Sequence, residues 1–271
     1  MKHLTLLHLN IERDYHLDKI EQLIHEKQPD ILCFQEIFDS TIETLRKEFP
    51  HYMSVPRLYI NNGKEKYSDG VVVMSKYPIL SKKAVVYGNT DETPTFENED
   101  IFFFKNNMRP IESFNLFYAI ACIEIEINGT PLTIGTTHFP AVDRASRGRF
   151  DNVYEQSPEF NYFLGIREIY ESFLRNMKSI PGPFIFTADM NNDRSEYMYQ
   201  RLSQELIDHV PRELISTIDP DLHKIKGLSL MIDTIMSTPE INVHNFEVIQ
   251  GVSDHKAFVI KFSVKNNVTN S

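Results

Sequence analysis

Several short apolar runs in this chain stop on a carboxylate, a carboxamide or an imidazole, and that regularity constrains the fold more than any other feature. Leu6 to Leu9 ends in Asn10, with Glu12 close behind. Ile31 to Phe34 ends in Gln35 and Glu36, Leu132 to Thr137 in His138, and Phe184 to Ala188 in Asp189, with Asn191 two residues on. Leu230 to Ile232 leads into Asp233, and the last apolar run is preceded by Ser253, Asp254 and His255. Runs of this length and composition read as buried strands. Strand ends that share a sheet edge converge, so these polar groups are expected to line one pocket.

The rest of the chain supplies layers around those strands. Leu17, Ile20, Leu23 and Ile24 recur at helical spacing before Pro29 and Asp30, and Thr41 to Phe49 reads as a second helix. Gly70 to Met74 and Lys82 to Tyr87 read as strands. Leu116 to Ile127 and Leu132 to Thr137 form a strand pair, joined at Asn128-Gly129, two residues that tolerate positive φ. Tyr162, Phe163, Ile166, Ile169, Tyr170, Phe173, Leu174 and Met177 mark one stripe of a helix that Pro181-Gly182-Pro183 ends. Tyr197 to Leu206 is helical, and Asn242 to Ile249 and Lys256 to Val264 are the final strands. Gly88 to Asn115 reads as a long surface excursion carrying Phe102-Phe103-Phe104, which fits a covering edge strand better than a membrane-touching or base-stacking finger. Strands occur both as hairpins and as strand–helix–strand units. The expected fold is therefore α/β: a four-layered α/β/β/α sandwich, two mixed sheets face to face with helices outside. Residues 1–264 are read as one domain, and 265–271 as a polar tail.

Composition narrows the class. The 271 residues carry a formal net charge of −10, which disfavours a surface built to grip long duplex DNA. Cys33 and Cys122 lie in apolar runs and read as two buried thiols, not a disulfide framework. No segment approaches the roughly 18 apolar residues of a membrane span. The N-terminal residues lack the apolar stretch and cleavage site of a signal peptide. The expectation is a cytoplasmic monomer without membrane insertion, with export by a signal-independent route as the alternative.

The polar inventory has its own chemistry. Carboxylate and carboxamide oxygens with few thiols suit a hard divalent cation such as Mg²⁺. Two histidines and two asparagines beside such a cation suit phosphoryl chemistry, because donors and positive charge stabilise the charge that develops on phosphate oxygens.

In order, His8-Leu9-Asn10-Ile11, Pro29 to Glu36, Asp69 to Ile79, Thr137-His138, Ala188-Asp189-Met190-Asn191, Met231-Ile232-Asp233 and Ser253-Asp254-His255 resemble the endonuclease/exonuclease/phosphatase superfamily. The resemblance runs from residue 8 to residue 255. It implies a metal-dependent phosphoric ester hydrolase that cleaves a P–O bond by in-line attack of water, with Mg²⁺ as cofactor and Mn²⁺ as a substitute. It implies Glu36 as principal metal ligand with Asn10 beside it, and Asp254 as a further metal-site carboxylate. Asp189 matches the residue that orients or deprotonates water, and Asn191 the residue that holds the phosphate. His255 matches a histidine at the scissile phosphate that Asp233 orients, and His138 a group that assists at the phosphate or leaving oxygen. Leu9 before Asn10, Ile37-Phe38 after Glu36 and the absence of Trp depart from the abasic-site endonucleases. The substrate is a phosphoester, whether small molecule, lipid headgroup or nucleic acid. A phosphodiesterase or phosphatase is the leading reading, a nuclease on DNA or RNA the second, and a non-catalytic binding protein the third. Arg147 and Arg149, with Arg144, are candidate substrate-binding residues; a solvated loop paired with acidic surface is the alternative.

Overall fold

A computed structural model describes residues 2–61, 66–88, 95–97, 116–140 and 158–265. In chain order the elements are β1 (Leu4–Asn10), α1 (Leu17–Lys27), β2 (Ile31–Phe38), α2 (Asp39–Leu45), β3 (His51–Asn61), β4 (Lys66–Ser75), β5 (Ile79–Val86) and β6 (Thr95–Glu97). There follow β7 (Ala119–Ile127), β8 (Thr130–His138), α3 (Pro158–Met177), β9 (Phe184–Asp189), α4 (Tyr197–Glu205), β10 (Ile207–Asp208), β11 (Asp233–Ser237), β12 (Ile241–Ile249) and β13 (Ala257–Val264).

The strands form two mixed sheets. One runs β12-β13-β1-β2-β4-β3-β6 and the other β10-β11-β9-β8-β7-β5. The apolar runs explain the stacking. Leu6, Cys33, Val71 and Val73 of the first sheet pack in one core with Ile123 and Ile134 of the second. On the far side of the first sheet, Leu7, Leu9, Leu32, Phe34, Val72 and Met74 pack with Ile20, Leu23 and Ile24 of α1 and Ile42 and Leu45 of α2. On the far side of the second, Phe173 of α3 meets Phe186 at 5.4 Å and Phe139 at 4.8 Å between ring centroids. Continuous apolar runs such as Ile31 to Phe34 serve both faces at once, because successive side chains alternate. The four layers are those expected from the sequence.

Local signals hold in detail. Asn128 and Gly129 have φ of 53° and 78° and join β7 to β8 in a two-residue hairpin. Cys33 and Cys122 are free, buried thiols. Among the described residues, no helix is long and apolar enough to cross a membrane.

Four expectations change. Gln35 and Glu36 do not end their strand, because β2 continues to Phe38. Asp233 does not end one either: it is the first residue of β11, and β11 runs antiparallel to β9. His51–Asn61, not anticipated as a strand, is β3; Pro56 and Arg57 interrupt its apolar pattern, and a β-bulge absorbs them. The Gly88 to Asn115 excursion contains a short strand, β6, which pairs parallel with β3. Phe102-Phe103-Phe104, Arg144, Arg147 and Arg149 lie outside the described residues.

Two bulges shape one edge of the first sheet. Between Gln35↔Val71 and Ile37↔Gly70, Glu36 is an extra residue of β2. Between Pro56↔Gly70 and Leu58↔Asp69, Arg57 is an extra residue of β3. Both bulges flank Gly70 of β4, where an added Cβ would lie 2.3 Å from the Val55 carbonyl oxygen. Only glycine permits β3 to lie that close.

Candidate active site

The end of the gap between the two sheets is polar. Register brings the groups together: His138 is level with Asp189, and Asp189 with Asp233. Across the gap, Asn10 of β1 donates from Nδ2 to Asp189 Oδ2 at 2.9 Å and to Glu36 Oε1 at 3.2 Å. The Glu36 bulge has a φ of 52° and turns the side chain to the pocket, where it keeps 24% exposure. Asn191, at φ 46°, donates its backbone N–H to Asp189 Oδ1 at 2.9 Å and its Nδ2 to Phe139 O at 3.1 Å. Asp233 Oδ2 lies 2.8 Å from His255 Nδ1, and His255 Nε2 lies 3.9 Å from Asp189 Oδ2.

The loop before β11 locks the remaining pieces. Thr217 Oγ1 accepts from the backbone N–H of Ile232 and of Asp233, both at 3.2 Å. The Thr217 carbonyl accepts from Lys256 N at 2.7 Å, and Asp254 O accepts from Asp219 N at 2.8 Å. Asp233, Asp254 and His255 are thus held by backbone on both sides.

Electrostatics separate the carboxyls by role. Burial would raise the Glu36 carboxyl, but His138, Arg57, the Asn10 hydrogen bond and Arg13 outweigh it and draw it down to about 2. Burial, with Asp233 adding to it, pushes Asp189 up to about 6 against the opposing pull of His255. Burial, with Glu12, Glu36 and Asp189 adding to it, pushes Asp254 up to about 7 against His255. Asp233 goes the other way: the charge and hydrogen bond of His255, and then His8, overcome burial and hold it well below the usual carboxylate range. The same partnership overcomes burial at His255 and holds it well above 6.5. Burial, then the Arg57 charge, pushes His138 well below 6.5.

A divalent cation fits this donor set. Glu36, His138 and Asp189 each offer a ligand atom within 4.8 Å of the others, and so do Asp189, Asp233 and His255. The second group is committed to the Asp233–His255 hydrogen bond, so Glu36, which belongs to the first alone, is the better anchor for a cation. Partly exposed and ionised, Glu36 gives a hard oxygen donor of the kind Mg²⁺ takes, while Asn10 beside it turns its Nδ2 to Glu36 and Asp189 and its Oδ1 to the Glu12 N–H.

The pocket therefore gathers Asn10, Glu36, His138, Asp189, Asn191, Asp233, Asp254 and His255. Several neighbours join them, of which the strand ends indicate only Gln35 and Glu12. Asp69 is fully buried and accepts from Arg57 Nη2 at 3.0 Å, while Arg57 Nη1 lies 2.7 Å from His138 Nδ1. His8, also fully buried, lies 3.5 Å from Asp233 Oδ1. Gln35 Nε2 donates to Thr136 Oγ1 at 2.6 Å and faces His8 Nδ1 at 3.4 Å, a polar rib between the sheets. At the rim Glu12 accepts from Lys224 at 2.9 Å, and His223 Nε2 lies 3.9 Å from Asp254 Oδ2. Asp69 did carry a signal: it opens the apolar run Gly70 to Met74. In an antiparallel pair, the start of one strand shares an edge with the end of its neighbour.

Two packed sheets thus gather carboxylates, carboxamides and imidazoles at one end. Residues 7–255 match the endonuclease/exonuclease/phosphatase family, and the chain belongs to that family. Among curated proteins, none matches the chain by sequence. Solved structures share its fold. An endonuclease/exonuclease/phosphatase from Bacteroides vulgatus is 16% identical over 98% of this chain and 100% of that one, with a TM-score of 0.66. The human Nocturnin catalytic domain, solved with a bound sulfate anion, is 16% identical over 97% of this chain and 94% of that one, at 0.65. TDP2 from D. rerio, solved with a single-strand DNA product, is 13% identical over 97% of this chain and 100% of that one, at 0.62.

Proposed function

We propose that the protein is a Mg²⁺-dependent phosphoester hydrolase, a phosphodiesterase or phosphatase that cleaves a P–O bond by in-line attack of water. The convergence of Glu36, Asn10, Asp189 and Asp233 from four strands, with Asn191 and His255 from adjoining loops, carries the reading. Glu36 and Asn10, with Asp254, would hold the cation. When bound, Mg²⁺ would offset negative charge on the phosphate and leaving oxygens. Asp189, raised to about 6 by burial and Asp233, is tuned to take a proton from water near neutral pH. The Asn10 and Asn191 hydrogen bonds hold its two oxygens. Asn191 donates to a phosphate oxygen from its side chain. His255, kept charged by Asp233, stabilises the anionic phosphorus centre, and His138 assists at the phosphate or leaving oxygen.

The net charge of −10 favours a small or lipid-like phosphoester over duplex DNA. A nuclease reading is favoured by one observation, the likeness in fold to a protein solved with single-strand DNA. A panel of nucleotides, phosphoinositides, sphingomyelin, oligonucleotides and bis(p-nitrophenyl) phosphate, each with Mg²⁺ and with EDTA, tests both. Turnover that survives EDTA would overturn the metal-dependent reading. Cleavage confined to oligonucleotides at low salt would select the nuclease.

A further inference from the structure

Asp219 lies in the loop before β11, 1% exposed, and its carboxylate accepts from backbone N–H groups of two separate segments. Oδ1 accepts from Asp221 at 3.0 Å and Leu222 at 3.1 Å, which closes a local turn. Oδ2 accepts from Gly251 at 2.7 Å, 32 residues along the chain. The Asp219 backbone N–H adds a bond to Asp254 O at 2.8 Å. Hydrogen bonds to an ionised acceptor are roughly twice as strong as neutral ones.

Gly251 and Asp254 belong to the connection between β12 and β13, residues 250–256, which also carries His255. Gly251 has a φ of 82°, a left-handed conformation that turns the chain there. Asp219 therefore grips the connection at two points, on either side of Val252 and Ser253. Ile218, its neighbour, forms an isolated bridge with His255. The turn closed by Asp219 also returns His223, whose N–H donates to Asp219 O at 3.0 Å and whose Nε2 lies 3.9 Å from Asp254 Oδ2. One short segment thus meets Asp254 at both its backbone and its side chain.

The arrangement demands a carboxylate. An asparagine of the same size offers one acceptor oxygen and one NH₂ donor. In one orientation its Nδ2 would face the Gly251 N–H; flipped, it would face those of Asp221 and Leu222. Either way one N–H opposes another, and one grip is lost. A serine hydroxyl can keep the local turn, but its single oxygen does not serve Gly251 as well.

We infer that Asp219 is a positioning residue for Asp254: by gripping the connection at Gly251 and Asp254, it holds the Asp254 carboxylate, and His255 after it, at the polar end of the two sheets. The part of Asp254 in holding a cation rests on the proposed hydrolase reading; the grip on the connection does not.

Two measurements on the full-length protein test it. Amide hydrogen exchange should find the Gly251 N–H protected in the wild type and exchanging about tenfold or more faster in Asp219→Asn and Asp219→Ser. Calorimetry with Mg²⁺ alone should give an affinity about 10–100-fold weaker in each variant than in the wild type. Added to Asp254→Asn, Asp219→Asn should weaken Mg²⁺ binding little further, because its effect passes through Asp254. An equal loss in both backgrounds would reveal a merely structural role and overturn the inference. So would unchanged Gly251 exchange or unchanged Mg²⁺ affinity in a folded variant. Asp219→Ser sets no N–H against another, so it decides the matter if Asp219→Asn does not fold. A Gly251 N–H that exchanges freely in the wild type would overturn the inference whether or not a variant folds. A wild type that neither binds Mg²⁺ nor hydrolyses bis(p-nitrophenyl) phosphate would count against the hydrolase reading, and Gly251 exchange would then decide the grip alone.

Discussion

Glu36 and Arg57 are the extra residues of two bulges that flank the same glycine, Gly70, from opposite sides of β4. A regular strand would place alternate residues on fixed faces. A bulge releases one residue from that rule and re-aims it. The carboxylate proposed to hold the metal and the cation facing His138 are both delivered this way.

Gly70 should therefore be a sensitive position far out of proportion to its size. In Gly70→Ala, the new Cβ would meet the Val55 carbonyl oxygen at 2.3 Å and Pro56 Cα at 2.8 Å, both backbone atoms. The expected cost is about 1–3 kcal/mol of stability. Activity should fall further than stability does, because both bulges must shift. Thermal unfolding and a turnover assay on the same sample check this; unchanged turnover in a destabilised variant would refute the bulge argument.

Asp189 and Asp233 face each other across β9 and β11, and the site drives them apart. Asp189 is pushed up to about 6, so its ionisation costs stability progressively from about pH 3.9, the unfolded value, and the cost is complete above about 6. Asp189→Asn should therefore gain stability at pH 8, on the order of 1–3 kcal/mol, while turnover falls about 10²–10⁴-fold. Denaturant unfolding with parallel kinetics reads both. A variant that loses stability at pH 8 would contradict the electrostatic assignment.

The Asp233–His255 pair predicts the opposite pH behaviour. His255 has a raised folded value, so its contribution is complete below about 6.5 and fades only as pH climbs through that raised value. Asp233 has a depressed one, so its contribution is complete above about 3.9 and is lost as pH falls through it. The stability lost in Asp233→Asn, about 3–5 kcal/mol for a broken buried pair, should be largest between those limits and shrink toward alkaline pH. Unfolding at a series of pH values measures it, and a loss that grows with pH would refute the pairing.

In the proposed cation site, Asp254 would link metal to proton. With its carboxyl at about 7, a proton competes with Mg²⁺ below that pH and not above it. Calorimetric Mg²⁺ affinity should be about tenfold weaker at pH 6 than at pH 8. Asp254→Asn should remove most of that dependence. Equal affinities at the two pH values would exclude Asp254 from the cation site.

Much of this was legible in the sequence, for a physical reason. A run such as Phe184 to Ala188 must be buried, and a charged residue ending it must lie where burial ends. That logic located Asn10, His138 and Asp189 at strand ends. It read Glu36 and Asp233 correctly as pocket residues for the wrong reason, since one sits within a bulged strand and the other begins one. It did not single out Asp69, which entered only through the family resemblance, and it did not place Arg57 in the pocket. Asp69 precedes its apolar run, and Arg57 sits beside Pro56 in a strand whose pattern is broken. Their partnership with His138 depends on which strands become neighbours, and pairing is a property of the whole sheet.

The most direct test is hydrolysis of bis(p-nitrophenyl) phosphate by the wild type, Glu36→Gln and Asp189→Asn across a Mg²⁺ titration. The wild type should turn over with saturable Mg²⁺ dependence and stop in EDTA. Glu36→Gln should need much more Mg²⁺, and Asp189→Asn should stay nearly inactive at any concentration while still folded. Wild-type turnover indifferent to Mg²⁺, or Asp189→Asn turnover equal to wild type, would contradict a metal-dependent hydrolase at this site.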